Sequence, residues 1–174
     1  VEKGDLAGAQ RLLDAALADT PAEPGLLYAR SMVSERRGDI AAMERDLRAM
    51  LRLDPDSALA MNALGYSLAN LTERHAEALA LIERALALKP DDPAIIDSMG
   101  WVHYRMGHLE EALSYLRQEK EKYPDHEVAA HLGEVLWVSG KRDEAGEIWR
   151  KGLESKPDSR LILDTMRRLG AAPA

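Results

Sequence analysis

"EALALIERALALKPDD", residues 77 to 92, places Ala78, Leu81, Ile82 and Ala85 at i, i+3, i+4 and i+7 before it reaches Pro90 and two aspartates. That recurrence has the 3.6-residue period of a helix, not the alternation of a strand. The proline cannot continue the helix, and an Asp or Ser after it offers a side-chain oxygen to cap the next one. The same layout recurs along the chain. Pro21, Pro55, Pro90, Pro124 and Pro157 lie 34, 35, 34 and 33 residues apart, and the last four each open a Pro-Asp pair. Twelve residues before each proline stands Ala9, Met43, Ala78, Ala112 or Ala145; eight before stands Leu13, Leu47, Ile82, Leu116 or Trp149. Seventeen before come Gly4, Gly38, Glu73, Gly107 and Gly140, where a helix needs a left-handed C-terminal cap. The unit holding Glu73 is one residue longer, and the extra residue is expected in the turn "NLTERHAEA".

Each unit thus reads as helix, glycine turn, helix, Pro-Asp turn. Neither helix can bury its apolar stripe alone, so units must stack on their neighbours. The expected fold is all-α, a right-handed α-solenoid of antiparallel helix pairs. Residues 1–21 supply the second helix of a truncated repeat; 22–55, 56–90, 91–124 and 125–157 are full repeats; 158–170, with "SRLILDTMRRLG", form an end-capping helix.

Composition sets outer bounds on function. A chain of 174 residues that is 46% hydrophobic and 30% charged can bury a sizeable core. A net charge of −7 and the absence of any Lys/Arg run oppose binding to a phosphate backbone, so nucleic acid is not an expected partner. No apolar run approaches the roughly 18–20 residues needed to cross a bilayer, so direct membrane insertion is not expected either. Without cysteine there are no disulfides, thiolate metal sites or cysteine nucleophiles. Starting at Val1 in the middle of the repeat pattern, the chain reads as part of a longer one.

The pairs Leu64-Gly65, Met99-Gly100 and Leu132-Gly133, the turn glycines, the small residues Ala78, Ala112 and Ala145 and the closing prolines resemble the tetratricopeptide repeat family over residues 1 to about 158. That resemblance implies a scaffold or adaptor whose first helices line a concave surface where an extended peptide of a partner protein lies. "MNALGYSLAN", "IIDSMGWVHYRMGHLEEALSYL" and "HLGEVLW" further resemble the C-terminal repeats of large bacterial envelope proteins. Some of these are outer-membrane lipoproteins, and one kind is an adaptor that brings substrates to a carboxyl-terminal processing protease. A periplasmic location, with a lipid anchor outside this chain, is what that likeness implies.

On each first helix, the slots seven and eleven after the proline lie roughly 120° from the face that packs on the second helix. With one fewer in the short last unit they hold Tyr28 and Met32, Asn62 and Tyr66, Asp97 and Trp101, and Ala130 and Glu134. One turn further come Tyr104 and Trp137, bordered by Arg105 and His131. Five of the eight aromatic residues therefore share a face that packing within a pair does not require. Rings with polar edges suit partner binding, because they bury large area at little cost in rotamer entropy. Two readings stand: the rings open to a peptide, or the neighbouring first helix covers them. Tyr66 and Trp101 are the expected exposed contacts, and Tyr104 and Trp137 are more prone to be covered. The Lys/Asn pattern with which some members of the family hold a terminal carboxylate is absent, since Tyr28, Met32 and Asn62 occupy its slots. Self-association through the apolar stretch "LAGAQRLLDAALA" is a second functional reading.

Other features carry less. Arg30, Ser34 and His103 are polar where other units mostly place apolar groups. Glu119 replaces the small residue supplied by Ala16, Ala85 and Gly152, and a partly exposed glutamate is the simplest expectation. Arg37-Gly38-Asp39 is the turn glycine and its following cap rather than an adhesion motif, and Asn70-Leu71-Thr72 reads as turn chemistry. His103 and His108, like His126 and His131, are five apart, off the i, i+4 spacing that sets two ligands on one helix face, so no metal is expected. No nucleophile, phosphate-loop or dinucleotide motif occurs; neither catalysis nor a cofactor is expected.

Overall fold

The computed structural model describes residues 5–171, and Gly4 of the turn series lies outside them. Among the described residues there are ten helices: α1 (Leu6–Asp19), α2 (Pro24–Arg36), α3 (Ile40–Leu53), α4 (Ala58–Leu71), α5 (His75–Leu88), α6 (Pro93–Arg105), α7 (Leu109–Lys122), α8 (His126–Val138), α9 (Arg142–Ser155) and α10 (Arg160–Leu169). They fall into two compact units, residues 1–90 with α1–α5 and residues 91–174 with α6–α10. None is long and apolar enough to cross a membrane.

The helix starts follow the sequence closely. Asp39, Ser57, Asp92, Asp125 and Ser159 each accept a backbone N–H from the first turn of the helix they precede, and Glu23 does so for α2. Pro24 and Pro93 sit in that first turn, where a missing N–H costs nothing. At the far ends Gly38, Gly107 and Gly140 take φ of +75°, +81° and +82°. A β-carbon is strained there, so Gly107→Ala is expected to cost about 1 kcal/mol, measurable as a lower midpoint in urea.

The extra residue in the long unit lies in the helix and not in the turn. α4 has 14 residues where α2, α6 and α8 have 13, and the following turn, residues 72–74, is no longer than the others. With Glu73 in place of glycine, α4 closes without a left-handed residue: Thr72 is extended at φ −139° and its hydroxyl donates to the Leu68 carbonyl at 2.6 Å.

Inside the α4–α5, α6–α7 and α8–α9 pairs, a glycine of the first helix (Gly65, Gly100 or Gly133) sets the distance of closest approach; α2 carries Ser31 in that slot. A β-carbon at Gly133 would lie 2.1 Å from Nε1 of Trp149, and one at Gly100 would lie 2.6 Å from Cγ of Leu116. The repeating Leu-Gly pair is therefore a packing device, with the leucine filling the core and the glycine admitting the side chain of the partner helix. Met43, Leu47, Met61, Leu64, Leu68 and Ile82 fill the first unit; Leu113, Leu116, Leu132, Leu136 and Trp149 fill the second.

Of the polar departures, Arg30 is fully engaged by carboxylates. Arg30 forks onto Asp46 at 2.7 and 2.8 Å and reaches Asp14 at 2.9 Å, clamping α2 to α3 and α1. Ser34 is buried at the end of α2. Glu119 is the one that differs from expectation: α7 runs undisturbed through it, and it is only 6% exposed. Its carboxyl is pushed up to about 9, by burial first and by the neighbouring Asp97 carboxylate second. A buried carboxyl beside a second one keeps its proton at neutral pH.

Candidate functional site

The face drawn from the sequence divides into an open part and a closed part. In the first unit Tyr28 and Met32 of α2 and Asn62 and Tyr66 of α4 are half-buried. The two helices are tied together by Ser67, whose hydroxyl donates to Glu35 at 2.8 Å. The rings of Tyr28 and Tyr66 thus keep accessible surface on helices held in fixed relation.

In the second unit the same slots are mostly covered. Trp101 is 7% exposed, which corrects the expectation of a displayed ring. The reason is the neighbouring first helix: His131 of α8 lies with its ring 4.6 Å from the indole, and Tyr104 flanks it at 5.1 Å. His131 and Glu134, also expected to meet a partner, are 9% and 3% exposed. Trp137 turns toward α9, its ring 5.7 Å from that of Trp149, with the Arg142 guanidinium 5.0 Å above it. Asp97, Tyr104 and Arg105 remain half-buried.

What covers these residues is a polar ladder. Nδ1 of His131 lies 2.7 and 2.8 Å from the two oxygens of Asp97, joining α8 to α6. The Tyr104 hydroxyl donates to Oε1 of Glu134 at 3.0 Å, and Arg168 of α10 donates to Oε2 at 2.6 Å. Burial alone would lower the affinity of His131 for its proton; the Asp97 carboxylate overrides that and raises it. Tyr104 is pushed up to about 12 by burial and by the Glu134 carboxylate. These hydrogen bonds stay inside the protein and tie α6, α8 and α10 together, which makes Asp97, His131 and Glu134 part of the packing of this unit. Arg168 was not among the expected site residues. It could have been found, because it stands eleven after Pro157, the slot that holds Trp101 after Pro90.

Among the described residues no group of three or more His, Cys, Asp or Glu side chains is arranged to hold a metal ion. The arrangement offers aromatic surface, from Tyr28 and Tyr66, in fixed relation, which is the chemistry of protein recognition.

The tetratricopeptide repeat pattern matches residues 3–157. This chain belongs to that family. Tetratricopeptide repeats generally mediate protein–protein interaction, and this one is an all-α helical repeat of that kind. A TPR repeat-containing protein of Pseudomonas aeruginosa is 59% identical over 114 residues, 66% of this chain and 19% of that protein. Bacteriophage adsorption protein A of Escherichia coli is 33% identical over 89 residues, 51% of this chain and 9% of that protein. The chain thus spans less than a fifth of the length of these curated relatives. Among solved structures, a thermophilic TPR protein of Thermus thermophilus superimposes with a TM-score of 0.83 at 22% identity, covering 97% of this chain and 90% of that one. MamA of Desulfovibrio magneticus gives 0.69 at 20% identity over 91% and 89%. These two likenesses establish the fold alone.

Proposed function

We propose that this tetratricopeptide array is a non-enzymatic adaptor that holds an extended segment of a partner protein on its first-helix face, with Tyr28, Met32, Asn62 and Tyr66 as contacts. The observation that carries this reading is the half-exposure of these four residues on two helices pinned by the Glu35–Ser67 hydrogen bond. Preorganised tyrosines lose little entropy when a ligand covers them.

The likeness to bacterial envelope repeats and the much greater length of the Pseudomonas relative support a finer version. In it the array is one module of a larger periplasmic protein, lipid-anchored to the outer membrane, that delivers substrates to a carboxyl-terminal processing protease. Metabolic lipid labelling and fractionation of the parent protein check that placement, and a cytoplasmic, unlabelled protein would overturn it.

For the binding face itself, a peptide library screened against the chain should yield ligands whose affinity falls about thirtyfold in Tyr28→Ala/Tyr66→Ala, with helicity unchanged, as hot-spot truncations do. Ligands that ignore this pair and are lost on Arg48→Ala in α3 instead would move the site off the first helices. Trp101 is unsuited to the same test, because removing a buried indole opens a cavity and destabilises the fold.

A further inference from the structure

His103 and His108 are five apart in sequence, which within one helix would separate them, yet their Nδ1 atoms are 3.4 Å apart. The cause is the turn between α6 and α7. Gly107 takes a left-handed conformation, its N–H donates to the Tyr104 carbonyl at 2.9 Å, and the His108 N–H donates to the His103 carbonyl at 2.9 Å. This double closure brings the residue two before the last helical turn's end and the residue after the glycine side by side. In most such turns that pair makes an apolar contact. The equivalent closures here join Asp39 to Ser34, Lys141 to Leu136 and Ala171 to Met166, so only this turn, among the described ones, pairs two imidazoles.

The geometry points to a two-histidine site for a borderline transition-metal dication, Zn²⁺ above all, chelated by Nδ1 of His103 and Nδ1 of His108 with water completing a tetrahedral shell. With Zn–N bonds of about 2.0–2.1 Å, tetrahedral angles separate two ligand nitrogens by about 3.3–3.4 Å. Octahedral right angles would demand about 2.9–3.0 Å. The observed 3.4 Å matches the tetrahedral bite. The site is also braced: the His103 ring stacks on Tyr115 of α7, centroids 5.7 Å apart and planes 10° from parallel, which fixes the imidazole plane. His108 is exposed and His103 half-buried, so the pair lies at the protein surface. Imidazole nitrogen as the sole donor type suits Zn²⁺ or Cu²⁺ and rejects Mg²⁺ and Ca²⁺, which take oxygen.

The test is calorimetric titration of Zn²⁺ into the full untagged chain, alongside the absorption spectrum with Co²⁺ in its place. The expected result is one ion per chain, a tetrahedral Co²⁺ spectrum, and no response to Mg²⁺. His108→Ala keeps the backbone closure of the turn. It should weaken binding about tenfold or more, since loss of even an outer partner of a metal ligand costs about that much. His126→Ala, whose ring faces Ser159 and Lys156, should leave binding unchanged. Equal Zn²⁺ affinity in His108→Ala, loss of binding in His126→Ala, or no saturable binding by the wild-type chain would each overturn the proposal.

Discussion

Gly133→Ala is expected to destabilise the α6–α10 unit by about 2–3 kcal/mol, lowering its thermal midpoint by roughly 10 °C. The new methyl would begin 2.1 Å from Nε1 and 2.5 Å from Cε2 of Trp149, far inside any real contact. The indole cannot swing aside. It is 1% exposed, its N–H points at the Ala130 carbonyl at 3.5 Å, and Trp137 lies against it at 5.7 Å. The strain must go into separating α8 from α9. Two controls identify the cause. Gly146→Ala, in the middle of α9 with nothing within 4 Å of the added carbon, should instead stabilise by about 0.5–1 kcal/mol through helix propensity. Trp149→Leu should itself be costly, yet Gly133→Ala in that background should cost much less, giving a favourable coupling in a double-mutant cycle. Thermal scans of the wild type and these four variants read this directly. Additive losses would show that the clash is relieved elsewhere.

Glu119→Gln is expected to make the same unit more stable at pH 8, by about 1–3 kcal/mol, and to flatten its dependence on pH. In the folded chain the carboxyl keeps its proton up to about 9 against an ordinary value of 4.5, whereas the unfolded chain releases it near that ordinary value. A raised folded value means stability is full below about pH 4.5 and declines as pH rises toward 9, with a slope approaching about 1.4 kcal/mol per pH unit. His131 adds to the same trend, because its proton is also held more tightly when folded and its contribution fades as pH rises through the folded value. Glutamine cannot titrate, and its amide can donate toward Asp97 as the protonated acid does. Urea midpoints measured from pH 5 to 9 should fall for the wild type and hold nearly level for the variant, apart from the His131 component. Parallel curves would place the charge of Glu119 in solvent.

The repeat was legible because each part of it is local chemistry. Proline stops a helix wherever it stands, the Asp or Ser after it caps the next, and glycine takes the left-handed turn; none of this depends on distant residues. The extra residue was misplaced for the opposite reason: counting between prolines gives the length of a unit, and only the Thr72 closure decides that α4 absorbs it. The sequence gives the face of the first helices only as a set of directions around a helix axis. Direction did not reveal burial. Trp101 and Tyr66 hold the same slot, yet Trp101 lies against His131 and Tyr104 while Tyr66 remains half-open. The i, i+4 rule describes spacing within one helix and says nothing of His103 and His108, because a glycine turn lies between them and sets their Nδ1 atoms 3.4 Å apart.

The sequence by itself determined an all-α repeat, its periods, its caps and its packing slots, since these follow from torsional preference and helical periodicity over a few residues. The tertiary structure decided which polar side chains meet across helices: Arg30 with Asp46, His131 with Asp97, Arg168 with Glu134. Those pairings are about 16 or 34 residues apart in the chain. They depend on how close two helices come, and that distance is set by the whole core between them.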